Sequence, residues 1–360
     1  MGDANSQWEW QDANTPQQQH HTPNAQEHYQ MPQSTWQNQK PGIIALRPLG
    51  LGDILEGSFA SVRANPKVMF GFSTLIMLIL GIIQALITYF GGFREAVQRY
   101  ETLSMLRGNT TEEVLLTIKE SNQAITEMLY TALFTFPLLI LSSLIFSALL
   151  TGILTHAISR SVIGKVSSIS STLESVKKRI LPLIANSLLL GLISALVTIV
   201  SLIPLILFAY LAIKYQLTAT AGVPLTILLT LVFIGSLIYV HVKVSLSQTA
   251  LVLEEIGPWA SIKRSWKLTN KGFWRILGRY IVAFLIIGII FGIVGVIAGI
   301  PGGILTPINP VLGLLVTVIF TALLQGLVVP ISSAVICLVY VDQRIRKENF
   351  DKTLIAAAQQ

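Results

Sequence analysis

The sequence predicts an all-α membrane protein with six transmembrane helices. Three observations predict it. Apolar residues make up 52% of the 360-residue chain and charged residues only 12%, about half the density of an ordinary soluble protein. The mean hydropathy is +0.66. The few charges are bunched, so that residues 68–93, 128–159, 180–213, 215–242 and 280–341 contain no Asp, Glu, Lys or Arg. These runs are apolar nearly all round, whereas a soluble helix needs a polar side. A soluble enzyme and a disordered chain are therefore excluded. The single cysteine, Cys337, excludes an internal disulfide scaffold.

A crossing takes about 20 residues, so the first four runs supply one span each. The fifth run holds 62 residues and must turn back once. Pro301-Gly302-Gly303 through Pro307-Ile308-Asn309-Pro310 is the turn signal that divides it. The expected spans are 68–90, 129–156, 183–211, 224–250, 280–300 and 311–340. Several exceed the needed length, which implies tilt or protrusion.

Orientation follows from Lys and Arg, which stay on the cytoplasmic side. Twenty of the 25 fall in the segment before the first span, the second-to-third and fourth-to-fifth connections and the C-terminal tail, counting Lys243 at the inner end of the fourth span. Both termini are expected inside, in a bacterial inner membrane. The net charge divides as +8 inside and −1 outside.

Residues 1–42 are Gln-rich, with scattered Trp and Pro and no helical or strand period, and are expected to be a disordered cytoplasmic tail. They lack the basic start and apolar run of a cleaved leader. His20, His21 and His28 read as incidental rather than as a metal site. The aromatic residues are either solvated or weak docking points for a protein partner. Residues 91–127 form the one sizeable outside connection, expected as two helices. The first covers 93–106, and the second starts at the capping box Thr110-x-x-Glu113. Its six glutamates read as solvated faces, or else as a partner surface. Residues 343–360 form a cytoplasmic tail.

Three inside segments look alike, each placing apolar residues at helical spacing ahead of a span. They are 51–66, 169–180 and 259–274. The chain then reads as three repeats of an interfacial amphipathic helix plus a two-span hairpin. Lys177, Lys178, Arg179, Trp259, Lys263, Arg264, Trp266, Lys267 and Trp274 are the candidate contacts to anionic lipid headgroups.

Inside the spans ionisable residues are almost absent. His156, His241 and Lys243 lie near inner ends and can snorkel. His241 with Ser245, one turn apart, is the nearest thing to a catalytic dyad, but a serine needs a base approaching from elsewhere. Hydroxyl and amide stripes are more plentiful. Ser187, Ser194, Thr198 and Ser201 recur on the third span, and Thr317, Thr321 and Gln325 on the sixth. They read as helix packing or as a polar path. Gly288-x-x-x-Gly292 and Gly295-x-x-x-Gly299 read as helix-packing motifs. No cofactor, metal or nucleic-acid partner is expected.

The stretch from Val252 to Thr269, containing Glu254-Glu255-Ile256-Gly257-Pro258-Trp259 and Arg264-Ser265-Trp266-Lys267-Leu268-Thr269, leads into Gly272-Phe273-Trp274-Arg275. It resembles the membrane domain of glycerophosphoryl diester phosphodiesterases and its stand-alone bacterial relatives. Arg47-Pro48-Leu49-Gly50-Leu51-Gly52-Asp53 resembles the start of actinobacterial members. Such phosphodiesterases keep catalysis in a separate soluble barrel. This sequence shows neither the His-Arg pair nor the Glu cluster of that barrel. The resemblance thus implies membrane architecture rather than phosphodiesterase activity. The function expected is a non-catalytic scaffold or accessory factor in envelope lipid or protein handling. The alternatives are a lipid or small-molecule transporter with a groove between hairpins, and a membrane-embedded enzyme.

Overall fold

A computed structural model describes residues 42–45, 47–93, 111–166, 168–216, 219–348, 350 and 354. The expected Gln-rich tail, the helix at 93–106 and the Thr110 cap lie outside the described residues. The protein is an all-α membrane protein, with six helices among the described residues long and apolar enough to cross a membrane.

Helix α1 covers Leu51–Ala64. A π-helical turn, Lys67–Phe72, leads into α2, Ser73–Thr88, and a second π-helical turn, Tyr89–Phe93, ends it at Gly92, whose φ is 87°. Helix α3 runs unbroken from Thr111 to Val162. Its 52 residues give a length of about 78 Å, so one helix carries both the expected second outside helix and the second span. Helices α4 (Ile169–Lys177), α5 (Ile180–Lys214) and α6 (Ala219–Val244) follow. Two short helices come next, α7 (Ser247–Leu253) and α8 (Pro258–Thr269). Helices α9 (Phe273–Leu305) and α10 (Pro310–Glu348) complete the chain. Each of α1, α4 and α8 is a short helix set ahead of a long antiparallel pair.

The turn between α9 and α10 is shorter than the Pro and Gly residues suggest. Pro301, Gly302 and Gly303 stay helical, and only 306–309 turn. The reason is packing. A Cβ on Gly302 would stand 2.4 Å from Gly313 O, and one on Gly313 2.8 Å from Gly302 O, so the two backbones cross at contact. Gly288, Gly292, Gly295 and Gly299, the expected packing motif, would meet nothing within 4 Å. That motif faces away from the other described helices. A second close crossing joins α2 to α10, where Gly326 lies against the Thr74 backbone and Gly81 against Ala322.

The long helices pack in the order α9–α10–α2–α3–α5–α6, and the two ends of that arc, α6 and α9, touch sparingly. Two apolar clusters fill the interior. One gathers Ile54, Leu246, Leu268, Ile276, Leu338 and Tyr340; the other gathers Met69, Leu154, Ile158, Leu183 and Cys337. Both lie toward the end where the Lys- and Arg-rich segments collect, hereafter the basic end.

Candidate functional site

The basic end is held together by charge. Asp342, fully buried on α10, accepts hydrogen bonds from the Leu49 N–H at 2.7 Å and from Arg346 Nε at 2.8 Å. It also pairs with Arg279 of α9. Both guanidinium groups then donate to Leu49 O, Arg279 at 2.7 Å and Arg346 at 2.9 Å. One carboxylate therefore joins the segment before α1 to α9 and α10. A buried charge is tolerated only when it is paired and its remaining lone pairs are satisfied, and here every carboxylate oxygen is engaged.

A second cluster lies at the end of α10. Arg264 of α8 donates Nε to both oxygens of Glu254 at 2.8 Å and Nη2 to Glu348 at 2.7 Å. Tyr340 donates to Glu254 at 2.5 Å, and Arg344 Nε to Glu348 at 3.0 Å. The hydrogen bonds that Arg264 donates to Glu348 and then to Glu254 raise its pKa above the ordinary value, so this group stays cationic at any accessible pH. Arg179 bonds Glu255 O at 2.9 Å and pairs with its carboxylate. Lys347 donates to Leu268 O at 2.8 Å and Asn270 O at 2.5 Å, closing the carbonyl end of α8.

Helix α8 does more than lie on a surface. The helix formed by α6 and α7 breaks at Ser245–Leu246, and the Ser265 hydroxyl fills the break. It donates to Lys243 O at 2.7 Å and accepts from the Leu246 N–H at 3.1 Å. Asn186 of α5 donates to Ser261 Oγ at 2.7 Å and to Pro258 O at 3.1 Å, and accepts from Ser247. The buried face of α8 is thus Ser261, Ile262, Ser265, Leu268 and Thr269. Small hydroxyl residues suit close packing on protein, so this face does not enter the acyl boundary as an interfacial helix would.

The outer face carries the expected headgroup residues. Trp259, Trp266 and Trp274 are exposed, as are Lys177, Lys178, Lys263 and Lys267. Arg179 and Arg264 instead pair with carboxylates of the protein itself, Arg179 with exposed Glu255 and Arg264 with half-buried Glu254. The polar stripes divide between interfaces. Ser187 accepts from Gln248 at 2.7 Å, and Ser201 bonds Ser236 of α6 at 2.7 Å. The Thr198 hydroxyl turns back onto Ser194 O, and Thr317 onto Gly313 O. Thr321 and Gln325 are half-buried on α10. Helix α5 packs on α3 and α6, while α10 packs on α9 and α2; the two stripes line different contacts.

The Ser245 hydroxyl bonds Val242 O at 2.9 Å and the Tyr280 hydroxyl at 3.0 Å, and His241 is no part of that set. His156 has a buried Nδ1 with no hydrogen-bond partner among the described residues. Also among the described residues, no group of three His, Cys, Asp or Glu could hold a metal ion.

Where α6 and α9 nearly meet, a cavity of about 540 Å³ opens, within the roughly 300–1,000 Å³ range of small-molecule sites. Its lining is mostly apolar, including Ile238, Leu277, Ile281 and Phe284, with Ser194 and His241 as polar members. Below it, Tyr239 packs on Phe273 at 5.3 Å and on Trp266 at 6.1 Å between ring centroids.

Residues 224–359 match a family model described as the membrane domain of glycerophosphoryl diester phosphodiesterase. That stretch of the chain is similar to that membrane domain. The matched stretch begins in α6 and takes in the helix break, α8, the charged side chains Arg264, Arg279, Asp342, Arg346 and Glu348, and the α6 and α9 walls of the cavity. No curated protein and no solved structure matches the chain. Four contributors to the basic end are not marked as site residues by the sequence: Asp342, Arg279, Asn186 and Ser265. Only the first two left a signal, because they are the charges that bound the longest uncharged run.

Proposed function

We propose that this protein is a non-catalytic scaffold or accessory factor of a bacterial inner membrane, acting in envelope lipid or protein handling. The observation that carries this reading is the basic end itself. Its buried carboxylates are all committed to joining helices, while Lys177, Lys178, Lys263 and Lys267 stay exposed beside Trp259 and Trp266. That is a rigid surface with cations and aromatics at headgroup level. In this reading the basic end and both termini face the cytoplasm, and the N-terminal tail and the 91–127 connection are the protein-docking elements. Lys178→Cys and Lys263→Cys in whole cells test the orientation, since Cys337 is fully buried. Labelling by an impermeant reagent added outside would reverse it. Co-purification in mild detergent tests the scaffold. Specific partners should be retained by the full chain and lost on deleting 1–42 or 94–110, and loss of neither would refute it.

The cavity between α6 and α9 favours a second reading, a lipid transporter. Reconstitution with labelled lipids distinguishes the two. The scaffold reading expects no movement above empty vesicles.

A further inference from the structure

On α5 and α6 the described hydroxyls are satisfied within the protein, with one exception. Thr198, Thr226 and Thr230 each turn back onto a carbonyl of their own helix. Ser236 does the same and also meets Ser201, while Ser187 accepts from Gln248. Ser194 is the exception. It lines the cavity between α6 and α9, and among the described residues its hydroxyl makes no hydrogen bond. The His241 ring lines the same cavity and likewise makes none. A polar group without a partner in apolar surroundings is costly, and in hydrocarbon no water relieves it.

The two free groups sit at the same end of the cavity. Ser201 bonds Ser236 at 2.7 Å, which sets the antiparallel register of α5 on α6. That register puts Ser194 level with residue 243, within about 3 Å of the height of His241. Both therefore lie toward the basic end. Val197, Leu237, Ile281 and Phe284 carry the cavity on from there toward the middle of the spans as an apolar slot. Tyr280 adds no free donor, because its hydroxyl is bonded to Ser245. Ile238 and Ile281 are exposed, so the slot is reachable from the bilayer. Polar groups near the membrane surface and apolar ones deeper is the order in which a lipid of the leaflet at the basic end presents its own glycerol esters and acyl chains.

We propose that the cavity between α6 and α9 binds one glycerophospholipid of that leaflet, with an acyl chain in the slot and its ester carbonyl accepting hydrogen bonds from the Ser194 hydroxyl and the His241 ring N–H. A carbonyl oxygen has two lone pairs and no proton of its own, and a serine and a neutral histidine each offer one donor. The lipid is recognised by its chain and its glycerol ester rather than by headgroup charge, since among the described residues no Lys, Arg, Asp or Glu lines the cavity. The site goes beyond the scaffold reading, which needs no bound lipid. It also differs from transport, because the lipid stays in its own leaflet.

The test is native mass spectrometry of the purified, delipidated full chain in detergent. It is titrated with a diester phosphatidylglycerol and, separately, with the diether analogue, which lacks the ester carbonyls. The diester should bind more tightly. Ser194→Ala and His241→Phe should each weaken the diester about three-fold, as expected for one hydrogen bond within a membrane, and leave the diether unchanged. Val197→Trp, at a half-buried position, and Ile281→Trp, at an exposed one, should lose most binding of both lipids by filling the slot. Leu196→Trp, on the next residue of α5 and outside the cavity lining, should bind as the parent does. Equal binding by the two slot-filling variants and Leu196→Trp would overturn the site. Equal binding of diester and diether by the parent, with no effect of Ser194→Ala or His241→Phe, would overturn the ester assignment. Should Val197→Trp not fold, Ile281→Trp decides the slot alone.

Discussion

The two hairpins α9–α10 and α5–α6 are equally apolar, yet they are held in different ways. In the most hydrophobic stretches of α9 and α10, 17% and 22% of residues are buried; in those of α5 and α6 none are. Helices α9 and α10 cross at Gly302 and Gly313 with backbone in contact, and their far ends are clamped by Arg279 and Asp342. Helices α5 and α6 meet through one hydroxyl pair, Ser201 with Ser236. The rest of their surface faces outward, including Leu192, Leu196, Ile199, Ile227 and Leu231. Lipid tails are as apolar as leucine, so apolar surface alone drives no association between spans. Close backbone approach and satisfied charge do that work in one hairpin and are largely lacking in the other. Among the described residues, the side-chain hydrogen bonds that tie the α5–α6 hairpin to the rest of the protein lie at its basic end, at Asn186, Ser187, Ser245 and the Ser265 bridge from α8. The cavity lies at the seam where this loosely held hairpin meets the tight one.

The sharpest way to break the contrast is Asp342→Ala. It leaves Arg279 buried without a carboxylate and Arg346 unpaired beside it, and removing one member of a buried pair costs about 3–5 kcal/mol. Thermal unfolding in detergent should show a severely destabilised protein. Gly302→Val should follow, at about 1–3 kcal/mol by overpacking, whereas Gly292→Val, with open space around it, should unfold like the parent. Ser265→Ala removes both bonds across the α6–α7 break and leaves a buried N–H unsatisfied, for a loss of about 1–3 kcal/mol. The smallest effect is expected in the loose hairpin. Ser201→Ala should cost about 0.6 kcal/mol, the average for hydrogen bonds between spans.

The six crossings were legible in the sequence because a bilayer demands long uncharged runs, and nothing else in this chain has that length. The sidedness of the glycines was not legible. With spans apolar all round there is no hydrophobic face to orient them, so Gly288 and Gly292 read as packing while Gly302 read as a turn. Gly326, which admits Thr74, carried no motif at all. Arg279 and Asp342 are 63 positions apart but stand at the two ends of one uncharged run. A hairpin must bring those ends together, so that pairing could have been read. Ser265 and Asn186 could not, because a hydroxyl on an amphipathic helix has the same look whether it faces water or repairs a helix break. Arg264 and Arg179 were grouped with the exposed lysines for a similar reason: residue type and spacing do not tell a headgroup ligand from an internal ion pair.

A rigid surface for lipids or proteins at the basic end requires the Arg279–Asp342 clamp. A double-mutant cycle with Arg279→Leu and Asp342→Leu, read by thermal unfolding of the full chain in nanodiscs, tests that clamp most directly. Strong coupling is expected, about 2–3 kcal/mol, with each single substitution severe and the double one far milder than their sum. Additive losses with no coupling would contradict it.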